Sequence, residues 1–254
     1  MSQPVSVALF DAVGTVIAPN PSVTDVYTEL GHRFGSELSR SQIKTRIAQA
    51  RQKYFHVGSS AAGREDLEPL ISSEAIEREL WKRLVLDVFH ELESADALFE
   101  ELWRHFADPK QWVVYDDVVE CWSKLNEYGF KIGLASNFDA RLIDICQAKK
   151  PLSRIEFIYC SSEVGFRKPC PNFYRNIESD LESRLGTSKL QIAMVGDDRE
   201  NDCVAPNLAG WKSVWLNRSP SSQPAVDAGS CKIDQVNSVA QFAELAIRQF
   251  SSSF

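Results

Sequence analysis

Five short segments of the chain are continuously apolar and rich in β-branched residues, and we predict a buried strand at each. They cover residues 5–10, 130–136, 157–161, 190–196 and 211–216. Continuous rather than alternating hydrophobicity is typical of strands that are covered on both faces. Helical patterns separate these strands, at residues 117–128, 141–149 and 173–185. This alternation predicts an α/β fold, with a Rossmann-like three-layer core around a mostly parallel sheet.

The residues from about 20 to 110, which follow the first predicted strand, have a different pattern. Helices are predicted there over residues 43–55, 75–91 and 95–106, and no segment among them reads as a strand. Ser39 followed three residues later by Gln42 resembles a capping box at the start of the first helix. We therefore predict an all-helical cap domain over residues 19–110, inserted into a core domain that comprises residues 1–18 and 111–254.

Composition and charge narrow the function classes. The 254 residues are 44% hydrophobic and 25% charged, which are ordinary globular values and exclude disorder as the main state. The net charge of −7 argues against a nucleic-acid partner and against an anionic membrane surface. Six scattered cysteines predict reduced thiols rather than a disulfide framework. With neither a signal-peptide pattern nor a membrane-spanning run, we expect a cytoplasmic protein. The sequence leaves its oligomeric state open between a monomer and a homodimer.

Four groups of residues could take part in catalysis or ligand binding. Three of the groups follow predicted strands, and the fourth, Lys168, lies in a predicted turn. In chain order they are Asp11, Gly14 and Thr15, then Ser136 and Asn137, then Lys168, and finally Asp197, Asp198 and Asp202. Each alone would be an ordinary turn residue, since Asp, Asn, Ser and Gly are common in turns. Ligands of open α/β sheets, however, bind at the carboxyl ends of the strands, so a parallel sheet would bring all four groups to one edge.

Charge balance at that edge predicts a bound cation. Asp11, Asp197, Asp198 and Asp202 would repel one another if they ionised close together. A magnesium ion would remove this conflict, because Mg²⁺ prefers oxygen ligands and often bridges protein carboxylates to a substrate phosphate. Lys168 would add a second positive charge. The expected assembly is a site for a small anionic, phosphorylated substrate with a carboxylate nucleophile beside it.

Four motifs together resemble those of the haloacid dehalogenase (HAD) superfamily. They are DAVGT, SN, RKPCPNFY and VGDDREND, in this order along the chain. The resemblance spans the whole chain and is to the subfamily with a helical cap after the first motif, subfamily I. In detail the chain is similar to the rhythmically expressed, REG-2-like proteins of insects.

The resemblance implies a role for each motif residue. Asp11 would be the nucleophile that forms an aspartyl intermediate, and Lys168 would stabilise that aspartate and the transferring group. Ser136 would bind the phosphoryl oxygens, and Asn137 and the turn at Gly14 and Thr15, with its exposed backbone N–H groups, would add further donors to the substrate. The magnesium ligands would be Asp11, the backbone carbonyl of Val13 and Asp197, assisted by Asp198 or Asp202.

Val13 departs from the phosphatase pattern of the superfamily. Phosphatases carry a second Asp at this position, which protonates the leaving group and then activates the attacking water. Valine has no exchangeable proton, and general acid–base help contributes about 10²–10⁴-fold to rate. We therefore expect a slow or atypical enzyme, or one that uses good leaving groups such as acyl or aryl phosphates.

Three alternatives follow from the same substitution. A dehalogenase also has a non-acidic residue there, but lacks the acidic fourth motif that this chain keeps. A phosphonatase-like enzyme would need a cap lysine, for which Lys53 or Lys44 are candidates, although an exposed lysine is the default interpretation. The third alternative is a non-catalytic protein that binds a phosphorylated ligand.

The predicted cap would select the substrate. Candidates that could face the site are Arg33, Tyr54, Phe55, His56 and Arg64. Trp81 and Trp103 are expected in the core of the cap rather than against the substrate.

Overall fold

The computed structural model describes residues 6–55, 70–153, 155–219 and 233–251. The strands are β1 (Val7–Phe10), β2 (Ile17–Pro19), β3 (Trp112–Val114), β4 (Lys131–Ser136), β5 (Phe157–Cys160), β6 (Ile192–Gly196), β7 (Lys212–Leu216) and β8 (Asp234–Val236). The helices are α1 (Val23–Arg33), α2 (Arg40–Phe55), α3 (Glu74–Val88), α4 (Ala95–Ala107), α5 (Asp117–Glu127), α6 (Arg141–Ala148), α7 (Ser161–Val164), α8 (Pro171–Leu185), α9 (Ala205–Ala209) and α10 (Val239–Ser251).

Six strands form one parallel sheet in the order β5–β4–β1–β6–β7–β8. The strand β1 lies in the middle, where Phe10 pairs with Leu134 of β4 on one side and with Val195 of β6 on the other. All five predicted strands are present in this sheet, and the predicted α/β, Rossmann-like fold is confirmed. The parallel arrangement brings the carboxyl ends of β1, β4 and β6 to the same edge.

The side chains of β1 enter two different hydrophobic cores. Ala8 and Phe10 belong to the core on one face, where Phe10 contacts the ring of Phe242 edge-to-face at 5.3 Å between centroids. Val7 and Leu9 belong to the core on the opposite face, under α8. Each face therefore excludes water from alternate residues of the same strand, which explains why the strand is apolar without interruption.

The helices α1 to α4 share a hydrophobic core of their own, and we call them the helical insert. The predicted capping box is confirmed, because the Gln42 N–H donates to Ser39 Oγ and the Ser39 N–H donates to Gln42 Oε1. A short antiparallel pair, β2 with β3, joins the chain entering the insert to the chain leaving it. This pair was not predicted.

A buried carboxylate fastens the helical insert to the core. Glu77 of α3 accepts hydrogen bonds from Ser161 Oγ of α7 at 3.1 Å and from the Arg167 guanidinium at 3.1 Å. The side chains of Glu77 and Arg167 are 1% and 11% exposed. Because Arg167 directly precedes Lys168 in the sequence, the bond from Arg167 to Glu77 holds the insert close to Lys168.

Two further findings concern the chain as a whole. The five cysteines in the described residues are buried and unpaired, in agreement with the prediction of reduced thiols, while Cys231 lies outside those residues. A search of the described helices finds none with the length and hydropathy required to cross a membrane.

Candidate active site

Asp11 follows the last residue of the central strand. Its backbone N–H donates to the carbonyl of Val195 at 2.9 Å, which continues the pairing of β1 with β6 by one residue. This bond fixes the backbone, so the Asp11 carboxylate lies at the carboxyl edge of the sheet. The residue is 8% exposed.

Lys168 joins two of the predicted carboxylates. Its Nζ donates to Asp11 Oδ1 at 2.7 Å, to Asp202 Oδ1 at 2.6 Å and to the Ala135 carbonyl at 2.9 Å. Burial acts to lower the pKa of Lys168, but the charges of Asp11 and Asp202 outweigh it and raise that pKa above its ordinary value. The lysine is therefore a fixed cation beside Asp11.

Ser136 and Asn137 have different partners in this arrangement. Ser136 Oγ donates to Asp11 Oδ1 at 2.9 Å. Asn137 holds the backbone of Lys168 from both sides, because its Oδ1 accepts from the Lys168 N–H at 2.7 Å and its Nδ2 donates to the Lys168 carbonyl at 3.0 Å. Asn137 thus positions the lysine, and its predicted contact with substrate stays a prediction.

Three carboxylates converge on one point. Asp11, Asp197 and Asp202 each offer an oxygen within 4.8 Å of the others. Burial raises the pKa of Asp202 well above its ordinary value, against the opposing charge of Lys168. Asp197 is solvent-exposed, yet burial of its carboxyl group by surrounding protein atoms and, to a smaller degree, the Asp11 charge raise its pKa to about 6. Such crowding favours uptake of either protons or a cation.

Asp198 lies outside this cluster. Its Oδ1 accepts from the backbone N–H groups of Glu200 and Asn201, each at 3.0 Å, and its Oδ2 accepts from the Asn201 side chain. Of the two candidates for assisting the metal, Asp202 is therefore the one that lies beside Asp11 and Asp197.

The donor set fits a magnesium ion. Both hydrogen bonds to Asp11 described above use Oδ1, which leaves Oδ2 as a possible ligand. The backbone bridge between Val13 and Ile17 uses the Ala12 carbonyl and the Gly14 N–H, so the Val13 carbonyl takes no part in it. Carboxylate and carbonyl oxygens are the ligands that Mg²⁺ prefers.

Gly14 allows Asp197 to approach. Its φ is +88°, and a β-carbon there would lie 2.4 Å from Asp197 Oδ2. The Gly14 N–H already donates to the Ile17 carbonyl at 2.9 Å, so it is not the free donor for substrate that the turn suggested. Thr15 is fully buried, and its hydroxyl has no hydrogen-bond partner among the described residues.

A family model for haloacid dehalogenase-like hydrolases matches residues 5–210. The chain belongs to this family. It is 25% identical to haloacid dehalogenase-like hydrolase domain-containing protein 3 of Danio rerio, over 89% of this chain and 91% of that protein. It is 24% identical to a phosphoserine phosphatase of Thermus thermophilus, over 88% of this chain and 95% of that protein.

A solved structure of a defluorinating L-2-haloacid dehalogenase has the same fold. The TM-score is 0.70 at 17% identity, and the match covers 95% of each chain. The resemblance to the HAD superfamily is thus confirmed, while the finer similarity to REG-2-like proteins stays a prediction.

Arg218 is a site residue of this HAD-like hydrolase that the sequence analysis missed. It donates to the carbonyls of Gly14 and Thr15, at 3.3 and 2.7 Å. Asp117 pairs with the same guanidinium through two bonds of 3.0 Å. Arg218 thereby holds the loop that follows Asp11. A lone arginine after the fifth predicted strand carries no local signal of this contact.

The helical insert of the hydrolase places only some of its candidate residues near the site. Phe55 lines a space together with Arg51, Gln52 and Asp198, so it faces the core. Tyr54 is turned to Asp87 through a 2.9 Å bond from its hydroxyl, and Arg33 is exposed. His56 and Arg64 lie outside the described residues.

Neither candidate lysine has the environment of a Schiff-base lysine. Lys53 pairs with Asp87 at 2.7 Å, and the hydrogen bond to this carboxylate raises the pKa of Lys53. A lysine that reacts as a free amine near neutral pH needs the opposite shift. Lys44 is exposed on α2.

Proposed function

We propose that this hydrolase is a Mg²⁺-dependent, phosphatase-like enzyme that transfers a phosphoryl group from a small phosphorylated molecule to Asp11. The observation that carries the proposal is the Asp11 carboxylate, held between the Lys168 cation and the carboxylates of Asp197 and Asp202. A phosphatase-like relative with similar sequence over most of the chain supports the same class.

Asp11 and its neighbours have different roles in the proposed reaction. Lys168 and Ser136 both donate to Asp11 Oδ1 and so fix the orientation of the carboxylate, of which one oxygen would attack phosphorus and the other would bind the cation. Asp202 keeps Lys168 charged and in place. Asp11, Asp197, the Val13 carbonyl and Asp202 would hold Mg²⁺, which would neutralise charge on the phosphoryl oxygens.

Val13 makes the enzyme atypical. Without a carboxyl group at this position, the chain lacks the residue that would protonate the departing oxygen and then activate the water that cleaves the phosphoryl–Asp11 bond. Substrates whose leaving group is stable as an anion are therefore favoured. Hydrolysis of the covalent intermediate is expected to be the slow step.

Hydrolytic dehalogenation is the second candidate. Val13 favours it, because a halide leaves without a proton, and Val13 lies at an apolar cavity between the helical insert and the core. Asp197 argues against it, because a third carboxylate beside Asp11 has no use in that reaction without a cation. The phosphonatase-like alternative has less support, because the hydrogen bond to Asp87 raises the pKa of Lys53, whereas a Schiff-base lysine needs a lowered pKa.

One screen separates these candidates. The purified protein is incubated with 4-nitrophenyl phosphate, acetyl phosphate, phosphonoacetaldehyde or 2-chloropropionate, each with Mg²⁺ and with EDTA. We expect phosphate release that requires Mg²⁺ and is absent in Asp11→Asn. Chloride release that persists in EDTA would replace the proposal with the dehalogenase candidate.

A binding assay covers the remaining alternative. If no substrate is turned over beyond the Asp11→Asn background, but phosphate esters raise the melting temperature, the protein binds phosphorylated ligands without hydrolysing them. That result would overturn the enzymatic proposal.

A further inference from the structure

An aromatic cavity opens beside the nucleophile loop, at the junction of the helical insert and the core. It has a volume of about 170 Å³. Its aromatic lining residues are Tyr27, Trp81, Phe99, Trp103, Phe106, Trp112 and Phe138. Trp112 contacts Phe106 and Phe138 edge-to-face, with ring centroids 6.2 and 5.8 Å apart, so the wall is continuous from α4 of the insert to the end of β4. Trp81 and Trp103, expected in the core of the cap, therefore also face this cavity.

The cavity reaches the loop that follows Asp11. Val13, which follows Asp11 by two residues, forms part of its wall, and so does Asn137. Asn137 follows Ser136, whose hydroxyl donates to Asp11 Oδ1. A group attached to a phosphorus atom at Asp11 can therefore extend past the valine side chain into the aromatic space.

The chemistry of the wall matches an uncharged ring. Of the described residues that line the cavity, none carries a carboxyl or imidazole group. The charge of Arg141 is matched by Asp139 through two bonds of 2.7 Å, and its guanidinium stacks on Trp103. Arg51 is exposed. An apolar cavity of about 150 Å³ is known to stay dry and bind benzene, so this volume is enough for one aromatic ring.

We infer that the leaving group of the substrate carries a single aromatic ring, which binds in this cavity. The inference rests on the proposed phosphatase-like function and names its substrate class, aryl or aroyl monophosphates. Because no carboxyl or imidazole group lines the described wall of this cavity, it offers no group of the usual kind to protonate an alkoxide, and an aryloxide or carboxylate needs none.

The two chemical steps then balance without an acid on the enzyme. An Asp11 carboxylate oxygen forms a bond to phosphorus, and the bond from phosphorus to the leaving oxygen breaks. The leaving group keeps the electron pair and departs as an aryloxide or arenecarboxylate anion. Water then attacks phosphorus, the bond between phosphorus and Asp11 breaks, and the proton of the water passes to solvent.

Benzoyl phosphate and acetyl phosphate form the matched pair for the test. Both are acyl phosphates with good leaving groups, and they differ by the ring that the cavity should bind. We expect kcat/KM to be at least about tenfold higher for benzoyl phosphate, since burial of even one methylene discriminates by about 10–200-fold. Equal values for the two substrates would overturn the aromatic assignment and leave the phosphatase-like function standing. Turnover of neither would overturn both.

A variant tests the place of the ring. Val23, half-buried at the start of α1, lines the cavity, and Val23→Phe would fill part of it. The preference for benzoyl over acetyl phosphate should then fall by about tenfold. The control Val119→Phe adds the same volume at a position that is 51% exposed on α5, and the preference should persist.

A measurement on the unaltered protein covers the case in which Val23→Phe does not fold. Benzoate should inhibit acetyl phosphate hydrolysis competitively, at a concentration at least about tenfold lower than acetate requires. Equal inhibition by the two carboxylates would contradict the assignment of the cavity to a ring.

Discussion

Gly14 and Asp197 approach so closely that a β-carbon on residue 14 would lie 2.4 Å from Asp197 Oδ2. The loop after β1 and the loop after β6 therefore fit together only when residue 14 has no side chain. This contact sets the distance between the two carboxylates that we assign to the metal, Asp11 and Asp197.

Gly14→Ala should therefore abolish magnesium binding while the protein still folds. The alanine displaces the Asp197 carboxylate, and its positive φ costs about 1–2 kcal/mol of stability. Gly129→Ala is the matched control, because φ there is +79° and the space around it is open. Calorimetric titration with Mg²⁺ should show binding in the control and none in Gly14→Ala. Comparable binding in both would disprove the close-contact argument.

Magnesium affinity should fall as the pH falls below about 6. The cation and the proton compete for the Asp197 carboxylate, whose pKa the surrounding burial and Asp11 raise to about 6. The ionised form prevails above that pH, so the dissociation constant should be about tenfold larger at about pH 5 than at about pH 7. Titration calorimetry at constant ionic strength measures this directly.

Asp198→Asn provides the control for the pH experiment. Its carboxylate bonds Glu200 and Asn201 and lies outside the cluster, so this variant should keep the pH dependence. Asp197→Asn should instead bind Mg²⁺ weakly at every pH. The opposite outcome, with Asp198 essential and Asp197 dispensable, would reassign the metal ligand.

Val13 should cause a burst in the time course. The leaving group departs in a first step that needs no acid, whereas the water in the second step has no base to activate it. With 4-nitrophenyl phosphate, stopped-flow absorbance should show rapid release of one nitrophenolate per enzyme, followed by slow turnover.

Val13→Asp should remove this burst by accelerating the second step, by about 10²-fold or more. The asparagine in Val13→Asn has nearly the same shape as aspartate but is neither a general acid nor a general base, so the burst should persist in that variant. If the aspartate and asparagine variants behave alike, the missing base is not the cause of slow turnover.

Glu77→Gln should destabilise the protein through its helical insert. The carboxylate pairs with Arg167 and accepts from Ser72 and Ser161 in a buried position. Removal of one partner from a buried ion pair costs about 3–5 kcal/mol, because the other charge stays buried. Urea denaturation measures the loss.

Glu79→Gln on the same helix is the control for this variant. Its pair with Arg83 is exposed, with side chains 52% and 56% accessible, so the stability change should stay below about 1 kcal/mol. Equal losses for the two variants would show that the Glu77 contact does not fasten the insert.

The sheet and the convergence of Asp11, Ser136, Lys168 and Asp197 were predictable because they depend on local signals. Each strand is a short apolar run, and parallel pairing alone brings the strand ends together. The pair of β2 and β3 was not predictable, since each strand has three residues and the partners are separated by the whole insert.

The contacts of Arg218 and the aromatic cavity were not predictable from local sequence patterns. Arg218 bonds two backbone carbonyls about 200 residues earlier in the chain, so no local pattern marks it. Trp103 and Trp112 are large apolar residues, which in a sequence look like ordinary residues of a hydrophobic core. Only the packing of α4 against the core domain brings both of them to the same cavity. The roles of Asp198 and Asp202 likewise depended on a turn whose geometry the sequence does not specify.

Acid quench of the enzyme during turnover tests the central claim most directly. Protein mixed with Mg²⁺ and 4-nitrophenyl phosphate is quenched within the burst, digested and analysed by mass spectrometry. A phosphoryl group on Asp11 is the predicted result, absent in Asp11→Asn and in EDTA. Phosphate release with an unmodified Asp11, or with the label on another residue, would contradict the account.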